Sequence, residues 1–178
     1  ASRVEASYWT MAGLAYAGLL GIALASLRGD DSAGLQATLF LFAVVWATDI
    51  LAYFTGRSIG GPKLAPAISP GKTWSGAVGG TIAAVLAGLG VAYGFSSPLG
   101  WAAFAGLTLV LSVVSQAGDL FESWIKRRFG VKDSSNLIPG HGGVMDRVDG
   151  LATAAFMLFL LGALLAGADH PATAFFRN

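Results

Sequence analysis

Residues 74–95, WSGAVGGTIAAVLAGLGVAYGF, are 22 residues without a charge. As a helix the run would be about 33 Å long, enough to cross a hydrocarbon core of roughly 30 Å. Gly76, Gly80, Ala84 and Gly88 repeat every four residues. Such a ridge lets neighbouring helices approach closely, so it is read as a packing face. Similar runs lie on either side. Trp9–Leu27 has 19 uncharged residues, many of them small, with Tyr8 and Trp9 where an interfacial aromatic belt would sit. Leu35–Phe54 carries one charge, Asp49, and Trp101–Ala117 carries none before running on into Gly118–Glu122. Val144–Gly167 is apolar after Asp146, Arg147 and Asp149. Only 12% of the 178 residues are charged and 54% are hydrophobic, where a soluble domain carries about a quarter charged residues. The expected fold is therefore all-α: a polytopic integral membrane bundle of about five transmembrane helices, forming one domain over residues 1–178.

Charge excludes some functions and orients the rest. A net charge of +1 gives no support to a nucleic-acid partner, and the absence of Cys excludes a disulfide framework or a Cys-ligated zinc site. With five spans, Arg3, Arg57, Lys63, Lys72, Lys126, Arg127, Arg128, Lys132 and Arg147 fall on one side, and only Arg28 and Arg177 on the other. Nine basic residues against two make the first side cytoplasmic. The two loops on that side are read as 55–73 and 123–143. Pro62, Pro66 and Pro70 rule out a regular helix through the first. Gly71-Lys72-Thr73 fails as a P-loop, because Pro66 stands where the first Gly is needed and no parallel strand precedes it. This loop can meet phosphate through its Lys and Ser, or it can be a cytoplasmic connection that follows charge bias. The tail after Gly167 begins polar, and His170 before Pro171 reads as a solvated residue. The chain starts at Ala1 without Met and is expected to be a piece of a longer protein.

Residues 123–149, SWIKRRFGVKDSSNLIPGHGGVMDRVD, hold five of the eleven Lys and Arg and one of the two His. Asp146 and Asp149 are three apart at the start of a span, so they face the same way and repel unless a cation lies between them. A hard divalent cation such as Mg²⁺ suits oxygen ligands and keeps phosphates as co-ligands. Asp119 arrives from the neighbouring span as a third ligand, with Glu122 on its face and Lys126 in phase with it. Asp49, an acid inside span two, is costly in hydrocarbon and supports the site; it lies one turn before the loop that follows. The backbone N–H groups of Gly140, Gly142 and Gly143 can approach an anion before the last span, where the helix dipole also favours negative charge. His141, between them, is a general base or a donor to a triphosphate. An already ionised substrate phosphate needs no strong base, which argues against the first role. Lys126, Arg127, Arg128, Lys132 and Arg147 supply cations, although a basic belt inside the membrane would account for Arg128 as well. Metal, amides and cations together are the equipment of phosphoryl or nucleotidyl transfer.

These residues resemble the phosphatidate cytidylyltransferase (CDP-diacylglycerol synthase) family of membrane enzymes. Ser123, Lys126-Arg127, Lys132-Asp133, Ser135, Ile138, Pro139, His141-Gly142-Gly143, Asp146-Arg147 and Asp149 all fall at the spacing of its motif. The likeness extends to Asp49–Arg57, to Ser69-Pro70 with Lys72-Thr73-Trp74, and to Gln116–Asp119. Gly71 departs from it, since many members have Lys there. The resemblance implies a Mg²⁺-dependent transfer of CMP from CTP to phosphatidic acid, releasing pyrophosphate. It implies metal roles for Asp119, Asp146 and Asp149, and a catalytic role for Lys126. Nucleotide or lipid-phosphate contacts would come from Ser69, Pro70, Lys72, Arg127, Lys132, His141, Gly142, Gly143 and Arg147. It also implies a homodimer, an inner-membrane location in a bacterium, and further spans before a C-terminal catalytic portion.

Two other readings compete. Asp146–Gly150 fits the D-x-x-D-G of CDP-alcohol phosphatidyltransferases, but Thr153-Ala154 stand where Ala-Arg is needed and no later acid follows in the span. A transporter or ion channel would use intramembrane carboxylates, but spread through the membrane depth rather than gathered at one face.

Overall fold

The structure, a computed structural model, describes residues 3–29, 31–135 and 143–177, and the side chains of all of these except 3–7 and Arg147. It has five long helices: α1 (Arg3–Arg28), α2 (Ser32–Ile59), α3 (Trp74–Gly94), α4 (Trp101–Arg128) and α5 (Met145–Ala166). All five are long and apolar enough to cross a membrane, which makes this an integral membrane protein. A small antiparallel hairpin, β1 (Lys63–Ala65) and β2 (Ser69–Thr73), joins α2 to α3, with Lys63 opposite Thr73 and Ala65 opposite Ser69.

The ends of the helices correct the expected loops. The 55–73 loop is shorter than expected, because α2 runs on to Ile59 and the hairpin fills the rest. No proline stands from Thr55 to Ile59, Gly56 packs against Thr73 and Gly76 within the helix, and the helix stops only where Gly60 takes φ 66° ahead of Pro62. Asp49 therefore lies ten residues before the end of α2, well inside the helix rather than one turn from its end. Likewise α4 absorbs the start of the 123–143 loop and ends at Arg128, with Lys126, Arg127 and Arg128 in its last turn. Cations there complement the helix dipole. At the other junction Thr73 serves two elements. It closes β2, and its side chain accepts a hydrogen bond from the Gly76 N–H at 3.1 Å, capping α3.

The ridge on α3 does pack: Gly76, Gly80, Ala84, Gly88 and Ala92 are all buried. A Cβ at Gly80 would stand 2.5 Å from the Thr48 carbonyl oxygen and 2.9 Å from Ala52 Cβ. Backbones this close need glycine, and in lipid such close packing replaces the hydrophobic drive that soluble helices have. Within the bundle a chain of hydroxyls joins three helices. Thr48 Oγ1 and Ser112 Oγ are 2.9 Å apart, and Gln116 Nε2 donates to Thr81 Oγ1 at 3.0 Å.

The C-terminal tail is more than a polar end. His170 is exposed as expected, but a 3₁₀ turn (Pro171–Ala174) folds the chain back, and Phe175 and Phe176 are buried. Phe176 meets Phe40 and Phe104 with ring centroids 5.8 and 5.7 Å apart, and the Ser97 hydroxyl donates to the Phe175 carbonyl at 2.7 Å. This aromatic plug closes the end of the bundle away from Asp49 and Asp119. Removing its central ring by Phe176→Ala should lower stability by roughly 3–5 kcal/mol. Thermal unfolding in detergent would read this as a lower midpoint, with binding at the opposite end unchanged at low temperature.

Candidate functional site

Four elements bring their polar residues to the other end of the bundle. Asp49 comes from α2, Lys72 from β2, Asp119, Ser123, Lys126 and Arg127 from α4, and Asp146 and Asp149 from the start of α5. A cavity of about 430 Å³ is lined by all of these except Lys72, together with Lys132 and Asp133. A larger cavity of about 770 Å³ lies between the hairpin, α2 and α3. Arg57, Lys63 and Lys72 edge it, while Ala52, Leu64 and Ala77 give it apolar walls. Asp49 and Asp119 line both, so the two cavities meet at these carboxylates.

Two lysine–carboxylate pairs tie the elements together. Lys72 Nζ pairs with Asp119 Oδ2, linking the hairpin to α4. Lys126 Nζ lies 2.8 Å from Asp146 Oδ1, linking α4 to α5. Asp146 also accepts from the Ser134 N–H at 2.9 Å, the Ser134 hydroxyl at 2.9 Å and the Gly143 N–H at 2.7 Å. Burial pushes this carboxyl up. The Lys126 ammonium and the donors of Gly143 and Ser134 outweigh that and hold it well below the usual carboxylate range. A side chain on Gly143 would collide with Ser134 and Ser135, so the close approach of backbone to carboxylate here needs glycine.

The remaining carboxylates are less compensated. Asp149 Oδ1 accepts from the Gly150 N–H at 2.7 Å and, among the described residues, forms no ion pair. Asp49 is in the same position. Asp49, Asp119 and Asp149 lie close enough to act on one another electrostatically. Among the described residues no three acids form a ready-made metal cage. The donor set is nonetheless all oxygen, and Mg²⁺ needs only one or two carboxylates when waters and phosphate oxygens complete its shell. One or two of Asp119, Asp146 and Asp149 would serve such an ion, with Asp49 beside them.

The other expected residues divide. Lys132 lines the smaller cavity. Arg127 does too, but its guanidinium donates to the carbonyls of Ile68 and Val131, both at 3.2 Å, and so straps the hairpin turn to α4. Ser69 and Pro70 lie on β2 and line neither cavity. His141 and Gly142 lie outside the described residues, as does the Arg147 side chain. Two residues were missed, and a third, Glu122, was placed on the face of Asp119 without a role. Glu122 is buried beside Lys126, and its presence in an apolar helix one turn from Asp119 was the available signal. Ser134 supplies two donors to Asp146, and the Tyr16 hydroxyl donates to the Asp149 carbonyl at 3.3 Å. Nothing in the local sequence marks either of these.

The chain belongs to the cytidylyltransferase family, whose model matches residues 2–165. It is 59% identical over 168 residues to a phosphatidate cytidylyltransferase of Brucella suis biovar 1, covering 94% of this chain and 62% of that protein. Proteins of the same name from Haemophilus influenzae and Staphylococcus aureus are 48% identical over 143 residues and 42% identical over 146. Those alignments cover 78% and 82% of this chain, and 49% and 55% of the relatives. The chain thus spans less than two thirds of the length of these curated relatives.

The low Asp146 carboxyl has a pH consequence. A carboxyl lowered on folding stabilises fully above its unfolded value, and that stability is lost as the pH falls through the folded value. The tie between residues 134 and 146 should therefore survive acidification through pH 3.8, the ordinary Asp value, and fail only below it. Hydrogen exchange would show the Ser134 and Gly143 amides protected at that pH in the wild type. In Asp146→Asn they should exchange faster even at neutral pH.

Proposed function

We propose that this chain carries the catalytic centre of a phosphatidate cytidylyltransferase, moving CMP from CTP to phosphatidic acid in phospholipid biosynthesis. The observation that carries the reading is the junction of two cavities at Asp49 and Asp119, at one end of a membrane bundle. The smaller cavity, with Lys126 and Lys132, suits a triphosphate. The larger one suits a lipid phosphate, since its cations edge apolar walls that a glycerol and acyl chains can follow. The names of relatives up to 59% identical support the same reading.

Phosphatidic acid stays in the leaflet with its phosphate at the interface, and CTP arrives from water. The excess of basic residues at the site end supports a cytoplasmic face for it, on the inner membrane if the source is bacterial. A lipid phosphate oxygen forms a bond to the α-phosphorus of CTP as the bond from that phosphorus to the bridging oxygen breaks, and pyrophosphate leaves. Lys72 faces the cavity proposed for the lipid and Lys126 the one proposed for the nucleotide, so the two anions are brought together against their repulsion. That positioning supplies a large part of the rate. The attacking phosphate is already ionised, so no residue has to remove a proton from it. Mg²⁺, held by one or two of Asp119, Asp146 and Asp149, would neutralise charge on the α-phosphate and the leaving group.

An ion path would need acids through the membrane depth. Asp49, Asp119, Glu122 and Asp149 instead gather at one end, which favours the enzyme. The test uses the full chain in liposomes containing phosphatidic acid, with α-labelled CTP and Mg²⁺. Label should enter the organic-extractable lipid, and Asp146→Asn should reduce it by at least about 100-fold. Absence of both labelled lipid and CTP binding would refute the reading.

A further inference from the structure

Lys126 is held by two carboxylates, and only one of them faces a cavity. Asp146 Oδ1 lies 2.8 Å from Nζ on the cavity side. Glu122 Oε1 lies 3.5 Å from it and lines neither cavity. All three side chains are nearly buried, at 14% exposure for Lys126, 12% for Glu122 and 10% for Asp146. Both Glu122 oxygens are inaccessible, and among the described residues their one cationic partner is the Lys126 ammonium.

A nearly buried carboxylate whose one partner among the described residues is an ammonium 3.5 Å away gains little stability over glutamine, which would fill the same volume without the charge. Stability alone therefore does not account for an acid here. The spacing does offer a role. Glu122 and Lys126 lie at i and i+4 on α4, with the acid toward the N-terminus, the favourable order for this pair. Their separation is set by a helix. Asp146 instead reaches Lys126 from the first turn of α5, among the N–H groups of Ser134 and Gly143. A lysine stem has four flexible carbons, so an ammonium tied to Asp146 alone would follow that carboxylate wherever it turned.

We propose that Glu122 is a positioning residue for Lys126. It holds the ammonium at the wall of the smaller cavity when Asp146 turns from lysine to other partners. The inference rests on the reading of that cavity as the nucleotide site. Glu122 acts only through Lys126 and touches no substrate.

Glu122→Gln in the full chain tests this by steady-state transfer from CTP to phosphatidic acid in liposomes. The expected result is a fall in kcat of about 10- to 100-fold, the usual cost of losing a partner that orients a site residue. KM for CTP should change by less than about threefold, because no contact to bound nucleotide is lost. The thermal midpoint in detergent should stay level or rise. In a Lys126→Met background, Glu122→Gln should cost less than about twofold more, as expected for residues acting as one unit. Wild-type kcat in Glu122→Gln, a lowered thermal midpoint, or the same fold-loss in both backgrounds would overturn the inference and leave the proposed activity standing. A wild-type chain with neither transfer nor CTP binding would overturn both.

Discussion

The site depends on compensating negative charge in a membrane. Carboxylates from α2, α4 and α5 gather at one end of the bundle, where each would be expensive alone. Lys72 on Asp119 and Lys126 on Asp146 offset that cost, and each pair crosses between elements. The hairpin is thereby fixed to α4, and α4 to α5. Asp49 and Asp149 keep no such partner among the described residues, so the site retains capacity for a cation or for donors from a substrate.

Packing elsewhere sets the distances on which these pairs depend. The small residues of α3 bring it within backbone contact of α2, which places Asp49 near Asp119 of α4. The phenylalanine plug at the far end and the Thr48–Ser112 hydrogen bond inside the bundle hold α2 against α4. Rigid spans with a polar end suit a reaction that depends on bringing two phosphates together.

Much of this was legible in the sequence, and physics says which parts. A bilayer demands about 20 apolar residues per crossing, so all five spans stood out as uncharged or nearly uncharged runs. The ridge from Gly76 to Gly88 revealed a packing face because small residues repeat at helical spacing. Asp119, Asp146 and Asp149 stood out because acids beside apolar runs are rare. The helix ends were less legible. Hydropathy falls at Thr55 and at Ser123, but neither segment contains a proline and Gly56 alone does not end a helix, so α2 continues to Ile59 and α4 to Arg128. The hairpin was hidden because Pro62, Pro66 and Pro70 exclude a helix without specifying strand pairing. The partnership of Lys72 with Asp119 spans 47 positions, and no local pattern encodes it. Phe175 and Phe176 follow a polar turn, and only the folded bundle shows that a cleft awaits them.

The most direct test is a structure of the full chain in a lipid disc with Mg²⁺ and CTP. The account predicts the triphosphate in the smaller cavity against Lys126 and Lys132, with both lysine–carboxylate pairs opened toward phosphate and cation. Nucleotide bound outside that cavity, or bound there with Lys72–Asp119 and Lys126–Asp146 both intact, would contradict it.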